Sequence, residues 1–315
     1  MPPPPSQTAA PVLERTFETS PEDRCRLRVP RAAVTLAPSD DENRATVTLT
    51  TAEGADDGAA RAFAETLRVH HTEGVLHVEP EHPPRPGAPG WRTLRAGAPA
   101  PALRVQVPSP FGADVQAPGG SIDARGLGGP VTLEAAGGRV RATGLTGRLD
   151  VQAQRCQTTI ADFDGPKCSA QVHGGSLTVR AATIQQALAI ESDGARLHVE
   201  DMRGALVLTQ QGGSNRLDAV RGPLDARVCG GRCHLTPEAG HAVRLRAPGG
   251  DVRLALPDDF AADVRLSAHR LRLDALADRL DGEQSARHAE GALGDGGALL
   301  EVRAPGGALR SQIGD

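Results

Sequence analysis

The chain has 315 residues and a formal net charge of −4, with no Tyr, one Trp and five Phe against 37 Gly and 25 Pro. This length allows one large domain or two ordinary ones. Acids and bases are interspersed along the chain, so no polybasic run argues for a nucleic-acid or anionic-lipid partner. An interior with so few aromatic rings must be filled by aliphatic side chains.

The N-terminal third differs from the rest of the chain. Residues 1–14 are Pro-rich and are predicted to be disordered. Residues 15–80 hold alternating strand patterns and an Ala-rich helical stretch, which predict a small β-rich cap, and residues 81–101 read as a linker or long loop. No segment approaches the roughly 20 apolar residues of a membrane span, and no signal-peptide pattern is present. An intracellular location is therefore expected.

The middle of the chain repeats itself. Successive segments start 18, 18, 21, 18 and 18 residues apart, at Leu127, Leu145, Phe163, Ile184, Met202 and Val220. Within a segment, two stretches of alternating apolar residues flank a glycine pair such as Gly137–Gly138 or Gly212–Gly213. The alternation indicates strands with one buried face, and glycine pairs supply the positive φ angles of tight turns. Because a two-strand unit cannot bury a core alone, the units must stack.

These repeats predict an all-β fold, a single-domain β-solenoid similar to a parallel β-helix, with rungs of about 18 residues over residues 102–256. An antiparallel β-sandwich or barrel with a hairpin in each unit is the alternative. The three extra residues after Phe163 predict a local bulge. Residues 257–315 break the period and are predicted to form a C-terminal excursion followed by one final rung.

The stretch from Cys229 to His234 carries two cysteines and a histidine, which suggests a metal or redox site. In the repeat register, however, Gly230–Gly231 is the ordinary turn, Cys233 points inward and His234 points outward. Plain packing is therefore predicted, with a reversible disulfide or an adventitious metal as the alternatives. Five cysteines, an odd number, do not suggest a secreted disulfide framework.

No catalytic constellation emerges from the remaining residues. Cleavage of a glycosidic bond needs two carboxyl groups about 5–9 Å apart, and the outward positions form no acidic column. Asp162 and Asp164 lie in one turn and are interpreted as solvated. We therefore predict no catalytic, cofactor-binding or metal-ligating residues and no enzymatic activity. A carbohydrate-active β-helix lyase or hydrolase that uses Asp162 is the alternative.

The segment LRVQVPSPFGADVQAPGGSIDARGLGG resembles the opening of the putative-adhesin family, a domain of unknown function. The resemblance covers roughly residues 100–310 and implies a β-solenoid. The layout is also similar to a eukaryotic branch of that family whose members are assigned to mitochondria, which implies a mitochondrial location. The shared motif consists of glycine and aliphatic spacing, so the resemblance implies no catalytic residues.

The expected function is a non-enzymatic structural or protein-interaction scaffold that presents rigid faces to a protein partner. Polar side chains occupy its outer positions, and one outward offset is shared by Asp123, Arg141, Thr159, His198, Arg216 and His234. A surface adhesin is a further alternative. The sequence predicts no nucleic-acid partner and does not indicate the oligomeric state.

Overall fold

Strand dominates the described part of the chain. The computed structural model describes residues 11–51, 57–81 and 101–313. Strand makes up 68% and helix 4%, which confirms the predicted all-β class. Residues 1–10 of the predicted tail and most of the predicted linker lie outside the described ranges, whereas residues 11–14 belong to the first strand. Within those ranges, no helix has the length and apolar character that crossing a bilayer requires.

Contacts divide the chain into two units, and each is described by itself. The first comprises residues 1–141 and 145–147, and the second comprises residues 142–144 and 148–315. Neither boundary coincides with those drawn from sequence at residues 80, 101 and 256, and the predicted domain limits stay predictions.

The first unit combines strands with one short helix. Its elements are β1 (Pro11–Glu18), β2 (Arg24–Arg28), β3 (Ala33–Pro38), β4 (Arg44–Thr50), α1 (Asp57–Thr66), β5 (Leu67–Thr72), β6 (Val75–Pro80), β7 (Ala102–Val107), β8 (Gly112–Gln116), β9 (Ser121–Arg125), β10 (Val131–Ala136) and the first part of β11 (Arg139–Thr143). The helix lies where the Ala-rich stretch predicts one, and it buries Phe63.

Two ladders organise the strands of the first unit. In one, β2 lies between β6 and β8 in parallel, β10 pairs with β8, and β5 adds antiparallel to β6. In the other, β3 lies between β7 and β9 in parallel, and β4 and β1 add antiparallel beyond β7. Strands β2 and β3 come from the predicted cap, yet Cys25 pairs with Ala113 and Val34 with Ile122. The cap region therefore supplies one layer of the parallel ladders.

The second unit consists almost entirely of strands. Its elements are β12 (Leu149–Ala161), β13 (Asp164–Gly165), β14 (Cys168–Asp193), β15 (Arg196–Gln211), β16 (Ser214–Arg221), β17 (Leu224–Cys229), β18 (Arg232–Pro237), β19 (Val243–Arg246), β20 (Asp251–Leu256), β21 (Ala262–Arg272), the 3₁₀ turn Asp274–Leu276, β22 (Leu280–Gln284), β23 (His288–Leu293) and β24 (Leu299–Ile313).

Neighbouring repeats of the second unit pair in parallel and in register. Leu197 pairs with Asn215 and Asn215 with Cys233, each partner lying 18 residues further along the chain. A register shift between Thr183 and Ala187 in β14 lies where the 21-residue segment that begins at Phe163 ends and the next segment begins. Pairing between neighbouring repeats of the second unit is therefore parallel and not antiparallel.

Aliphatic columns fill the inside of the second unit. Leu188, Leu206, Leu224 and Val243 are successive pairing partners, and none is more than 3% exposed. Such a column follows from the sequence pattern, because alternate residues of a strand point to the same side. Burial of these side chains contributes roughly 1.5–3 kcal/mol each to folding.

The C-terminal strands do not follow chain order. Strand β21 lies parallel to β24, and β24 in turn lies parallel to β19 and β20. Strands β23 and β22 add antiparallel beyond β21. Leu300 thus pairs with Val243 on one side and with Val264 on the other. The last strand of the chain is inserted between strands that precede it.

Candidate functional site: two arginine pockets and a histidine–glutamate cluster

The cysteine-rich stretch of the second unit takes the positions that the repeat register predicts. Cys233 is buried in β18, and burial raises the pKa of its thiol from 9.0 to about 12. Cys229 is half-buried at the end of β17, and His234 lies half-buried on β18. All five cysteines are free thiols. Cys233 is therefore protonated and shielded, which makes it a poor nucleophile.

The two aspartates considered for sugar cleavage lie in separate local settings. Asp162 is exposed with a φ of 51°, and its backbone N–H donates to the carbonyl of Arg180 at 3.1 Å. Asp164 is exposed in the short strand β13. Both side chains are therefore open to solvent.

One outward column of the second unit becomes basic toward its C-terminal end. Five successive pairing partners form this basic column, namely His198, Arg216, His234, Arg253 and Arg310. Alignment of the chain's own repeats predicts the first three members of this column. It does not predict Arg253 and Arg310, because these two residues belong to segments with a different spacing.

Two arginines of the basic column are paired with acidic neighbours. Arg216 donates from Nε to Asp218 at 2.5 Å, and Arg310 donates from Nε to Asp274 at 2.9 Å. Burial lowers the pKa of His234, and although Asp218 opposes this shift, Arg216 and Arg253 reinforce it. His234 is therefore a neutral residue between two positive charges at physiological pH.

A surface pocket of about 470 Å³, the first arginine pocket, opens at the end of this column. Its charged lining consists of Arg232, Arg253, Arg310 and Asp251. Asn215 also lines it, and this residue is only 4% exposed, with no hydrogen-bond partner for either amide atom among the described residues. A buried amide without a partner is costly, so the pocket favours a polar, anionic occupant.

A second arginine pocket of about 410 Å³ lies between β17, β19 and β24. It is lined by Asp225, Arg227, Arg244, Arg246, Glu301 and Arg303. Glu301 is buried and is paired with Arg303, and its carboxylate lies 4.0 Å from Arg244. Within the part of the chain that the structure describes, Arg227 and Arg246 have no carboxylate at salt-bridge distance. Their charges are therefore available to a partner.

A different group of functional side chains lies in the first unit, on the hairpin of β5 and β6. Its turn residues Glu73 and Gly74 have φ angles of 52° and 71°, as a two-residue type I′ turn requires. The resulting register places His70 opposite His77. Because alternate residues of a strand share a face, Glu79 lies beside His77 on the same side.

The donor atoms of this histidine–glutamate cluster, His70, His77 and Glu79, all lie within 4.8 Å of one another. The two imidazole rings stack with centroids 4.8 Å apart and an interplanar angle of 9°. Burial lowers the pKa of His77, followed by the charge of His70. Among the described residues this is the one group of three such side chains close enough to share a metal ion.

Sequence reasoning names none of these three residues as ligands. The signal was present in HHTEGVLHVEP, where Glu-Gly between two strand patterns indicates a two-residue hairpin. A hairpin turn fixes which side chains face each other, and it pairs His70 with His77.

Comparisons with known proteins assign no family to the chain. No protein-family model and no curated protein matches it. A solved structure of a putative adhesin from Parabacteroides merdae is 8% identical, with 95% of each chain covered and a TM-score of 0.46. A putative lipid binding protein from Parabacteroides distasonis is 9% identical, covering 95% of this chain and 96% of that one, with a TM-score of 0.45.

A putative cell adhesion protein from Clostridium sporogenes is 7% identical, covering 97% of this chain and all of the other, with a TM-score of 0.22. The neighbours are thus named as adhesion and lipid-binding proteins, and the eukaryotic, mitochondrial branch finds no support among them. At these TM-scores the similarity assigns neither fold nor function.

Proposed function

We propose that the chain is a non-enzymatic interaction scaffold, a β-solenoid of the putative-adhesin type whose arginine-lined surface binds an acidic protein partner. The observation that carries this proposal is the concentration of arginines at the C-terminal end of the second unit, where two pockets open on strands of the parallel ladders. Solenoids use such rigid, extended surfaces for binding.

The carboxylates of the second unit support a non-catalytic role. Asp218 and Asp274 are each paired with an arginine of the basic column. Burial raises the pKa of Asp150, but hydrogen bonds from Ser169 and Arg148, together with the charges of Arg148 and Lys167, lower it below its ordinary value. A carboxylate held ionised in this way is a poor general acid, because proton donation needs a pKa near the working pH.

Planar guanidinium groups recognise carboxylates through paired hydrogen bonds. Arg227 and Arg246 have no carboxylate partner among the described residues and line one pocket, while Arg232 and Arg253 line the other. An acidic protein segment would satisfy these groups, and part of its affinity would be lost at high ionic strength.

Charge reversal tests the proposal. We would compare cross-linked complexes recovered from native cells for the wild type, for Arg227→Glu with Arg246→Glu, and for Arg232→Glu with Arg253→Glu. The proposal is supported if a protein partner that is recovered with the wild type is lost from the complexes of either double variant. The matched control, Arg180→Glu with Arg203→Glu, changes two exposed arginines of the same unit away from both pockets.

Two outcomes would count against the scaffold. One is an unchanged set of partners after reversal of either pocket. The other is product formation from an acidic polysaccharide that Asp162→Asn abolishes, which would favour the carbohydrate-active alternative.

A further inference from the structure

We propose that His70, His77 and Glu79 bind one divalent transition-metal ion of the zinc class, with one coordination position left open. The proposal is independent of the interaction scaffold, since it concerns a hairpin of the first unit. It rests on the geometry of three side chains that the β5–β6 register brings to one face.

The first argument is the hydrogen-bonding state of the histidines. His70 Nδ1 is buried and has no hydrogen-bond partner among the described residues. The adjacent His71 differs, because its Nε2 lies 3.0 Å from the Asp23 carboxylate. An imidazole nitrogen buried without a partner costs free energy, and a metal ion bound through its lone pair would remove that cost.

The second argument is that the donor atoms of the three side chains can reach a common ion. Directly opposite residues of an antiparallel pair have Cβ atoms about 4.5–5.5 Å apart, so rotation of the two rings can bring one nitrogen of each to a common ion. The three donor atoms already lie within 4.8 Å of one another. Zinc binds imidazole nitrogen and carboxylate oxygen at about 2.0–2.2 Å, a contraction that side-chain rotation supplies without moving the strands.

The donor set decides the class of metal. Two imidazoles with one carboxylate suit zinc and neighbouring late transition metals, whereas calcium and magnesium require a shell of oxygens. All three side chains are half-buried, so solvent reaches the cluster. Three protein ligands and an accessible fourth position are the arrangement in which zinc keeps a water or an exogenous ligand.

Nearby positive charge is partly offset. Arg26 of β2 is the pairing partner of His77, and its Nε lies 3.6 Å from the carboxylate of Asp114. Arg68 lies opposite Glu79 on the hairpin. The Glu79 carboxylate therefore serves as the anionic ligand that makes a dication favourable here.

Isothermal titration of the metal-free full chain with Zn²⁺ tests the site. One ion per chain is expected, and His70→Ala, His77→Ala and Glu79→Gln should each weaken binding by more than about 100-fold, since even residues that only support a metal ligand are worth roughly 10–100-fold. The controls His71→Ala and His173→Ala remove histidines outside the cluster and should bind as the wild type does. Zn²⁺ binding that survives in the His70→Ala/His77→Ala double variant would overturn the proposal.

A second measurement does not depend on the folding of a variant. In the wild type, addition of Zn²⁺ should shift the imidazole NMR signals of His70 and His77 while those of His173 stay in place. Co²⁺ in place of Zn²⁺ should develop the visible absorption of a four-coordinate site. Unshifted His70 and His77 signals at saturating Zn²⁺ would refute the assignment.

Discussion

At the scale of single residues, the glycine pairs of the repeats serve two different purposes. Gly212 and Gly213 both have positive φ, 65° and 78°. A Cβ at Gly212 would meet open space, whereas at Gly213 it would lie 2.2 Å from the carbonyl oxygen of Ala195 in the preceding repeat. Gly212 is required by the left-handed backbone of the turn. Gly213 is required by that backbone and also by the close approach of the preceding repeat.

This difference predicts unequal costs of substitution. Gly212→Ala should destabilise the chain by about 1–2 kcal/mol, the cost of a left-handed backbone with a side chain. Gly213→Ala should cost about 2–5 kcal/mol, because a backbone clash is added to the same strain. Urea unfolding of the two variants measures both values, and equal costs would contradict the stacking of the turns.

The cysteines offer a second residue-level prediction. Cys233 and Cys168 are buried thiols whose pKa is raised to about 12 by burial, so they stay protonated in the native state. Cys229 is half-buried and should be the thiol that reacts with Ellman's reagent in the folded chain. About one equivalent should react quickly, Cys229→Ser should remove it, and unfolding should release the remainder. Rapid reaction of Cys233 would instead support a redox role.

Asp150 predicts a pH dependence of stability. Burial raises its pKa, but hydrogen bonds from Ser169 and Arg148 and the charges of Arg148 and Lys167 together lower it from 3.8. A carboxyl group with a depressed folded-state pKa stabilises the fold above its unfolded pKa, and this contribution disappears as the pH falls through the folded value. The wild type should therefore exceed Asp150→Asn in melting temperature at neutral pH, and the two should converge in acid.

The control for this comparison is Asp225→Asn. Asp225 occupies an equivalent outward position but is exposed, and no ion pair to it is present in the described ranges. Asp225→Asn therefore measures what the same substitution does to the melting temperature where no described ion pair is removed. If the difference in melting temperature between the wild type and Asp150→Asn persists in acid, the destabilisation by the substitution is steric and not electrostatic.

At the scale of elements, β24 (Leu299–Ile313) is the strand on which the C-terminal part of the second unit depends. It pairs with β19 and β20 on one side and with β21 on the other. Without it, three strands would present unpaired backbone groups, and such edges promote association.

A chain truncated after residue 298 should therefore form oligomers or aggregates that light scattering detects. A synthetic peptide of residues 299–313 added during refolding should restore the monodisperse behaviour of the full chain, since a missing strand can be supplied in trans. A scrambled peptide of the same composition is the control. A truncated chain that behaves like the full one would contradict the central place of β24.

The sequence predicts the elements built from local repetition and misses those that depend on distant pairing. Alternating residues such as Leu206 and Leu208 lie buried as the pattern requires. The pairing of Cys25 with Ala113 joins positions 88 residues apart in chain number. No fixed spacing relates β2 to β8, so the contribution of the N-terminal region to the ladders could not be derived from periodicity.

The candidate sites also divide into residues that the repeats predict and residues that distant or hairpin pairing brings together. The offset shared by His198, Arg216 and His234 is visible in the aligned repeats, and the structure places these residues in one column. Arg310 joins that column only because the chain returns after an excursion of irregular length. The cluster around His77 depends on a single hairpin turn, which repeat alignment does not consider.

At the scale of the whole molecule, the proposed solenoid implies that stability is carried by contacts between neighbouring repeats. In a linear stack, each repeat touches only the one before and the one after. The column of Leu206, Leu224, Val243 and Leu300 provides a test, because each residue is the pairing partner of the next. All four are at most 3% exposed.

The expected result concerns coupling between substitutions. Leu206→Ala and Leu224→Ala should each cost about 2–5 kcal/mol, and their combined cost should differ from the sum by about 0.5–3 kcal/mol, because contacting residues share a cavity. Leu206 and Leu300 are three strands apart, about 14 Å at the usual strand spacing, so their costs should add to within about 0.5 kcal/mol. Urea unfolding of the single and double variants gives both coupling energies. Equal coupling in the near and far pairs would mean that the column does not behave as a linear stack, and the solenoid proposal would fail with it.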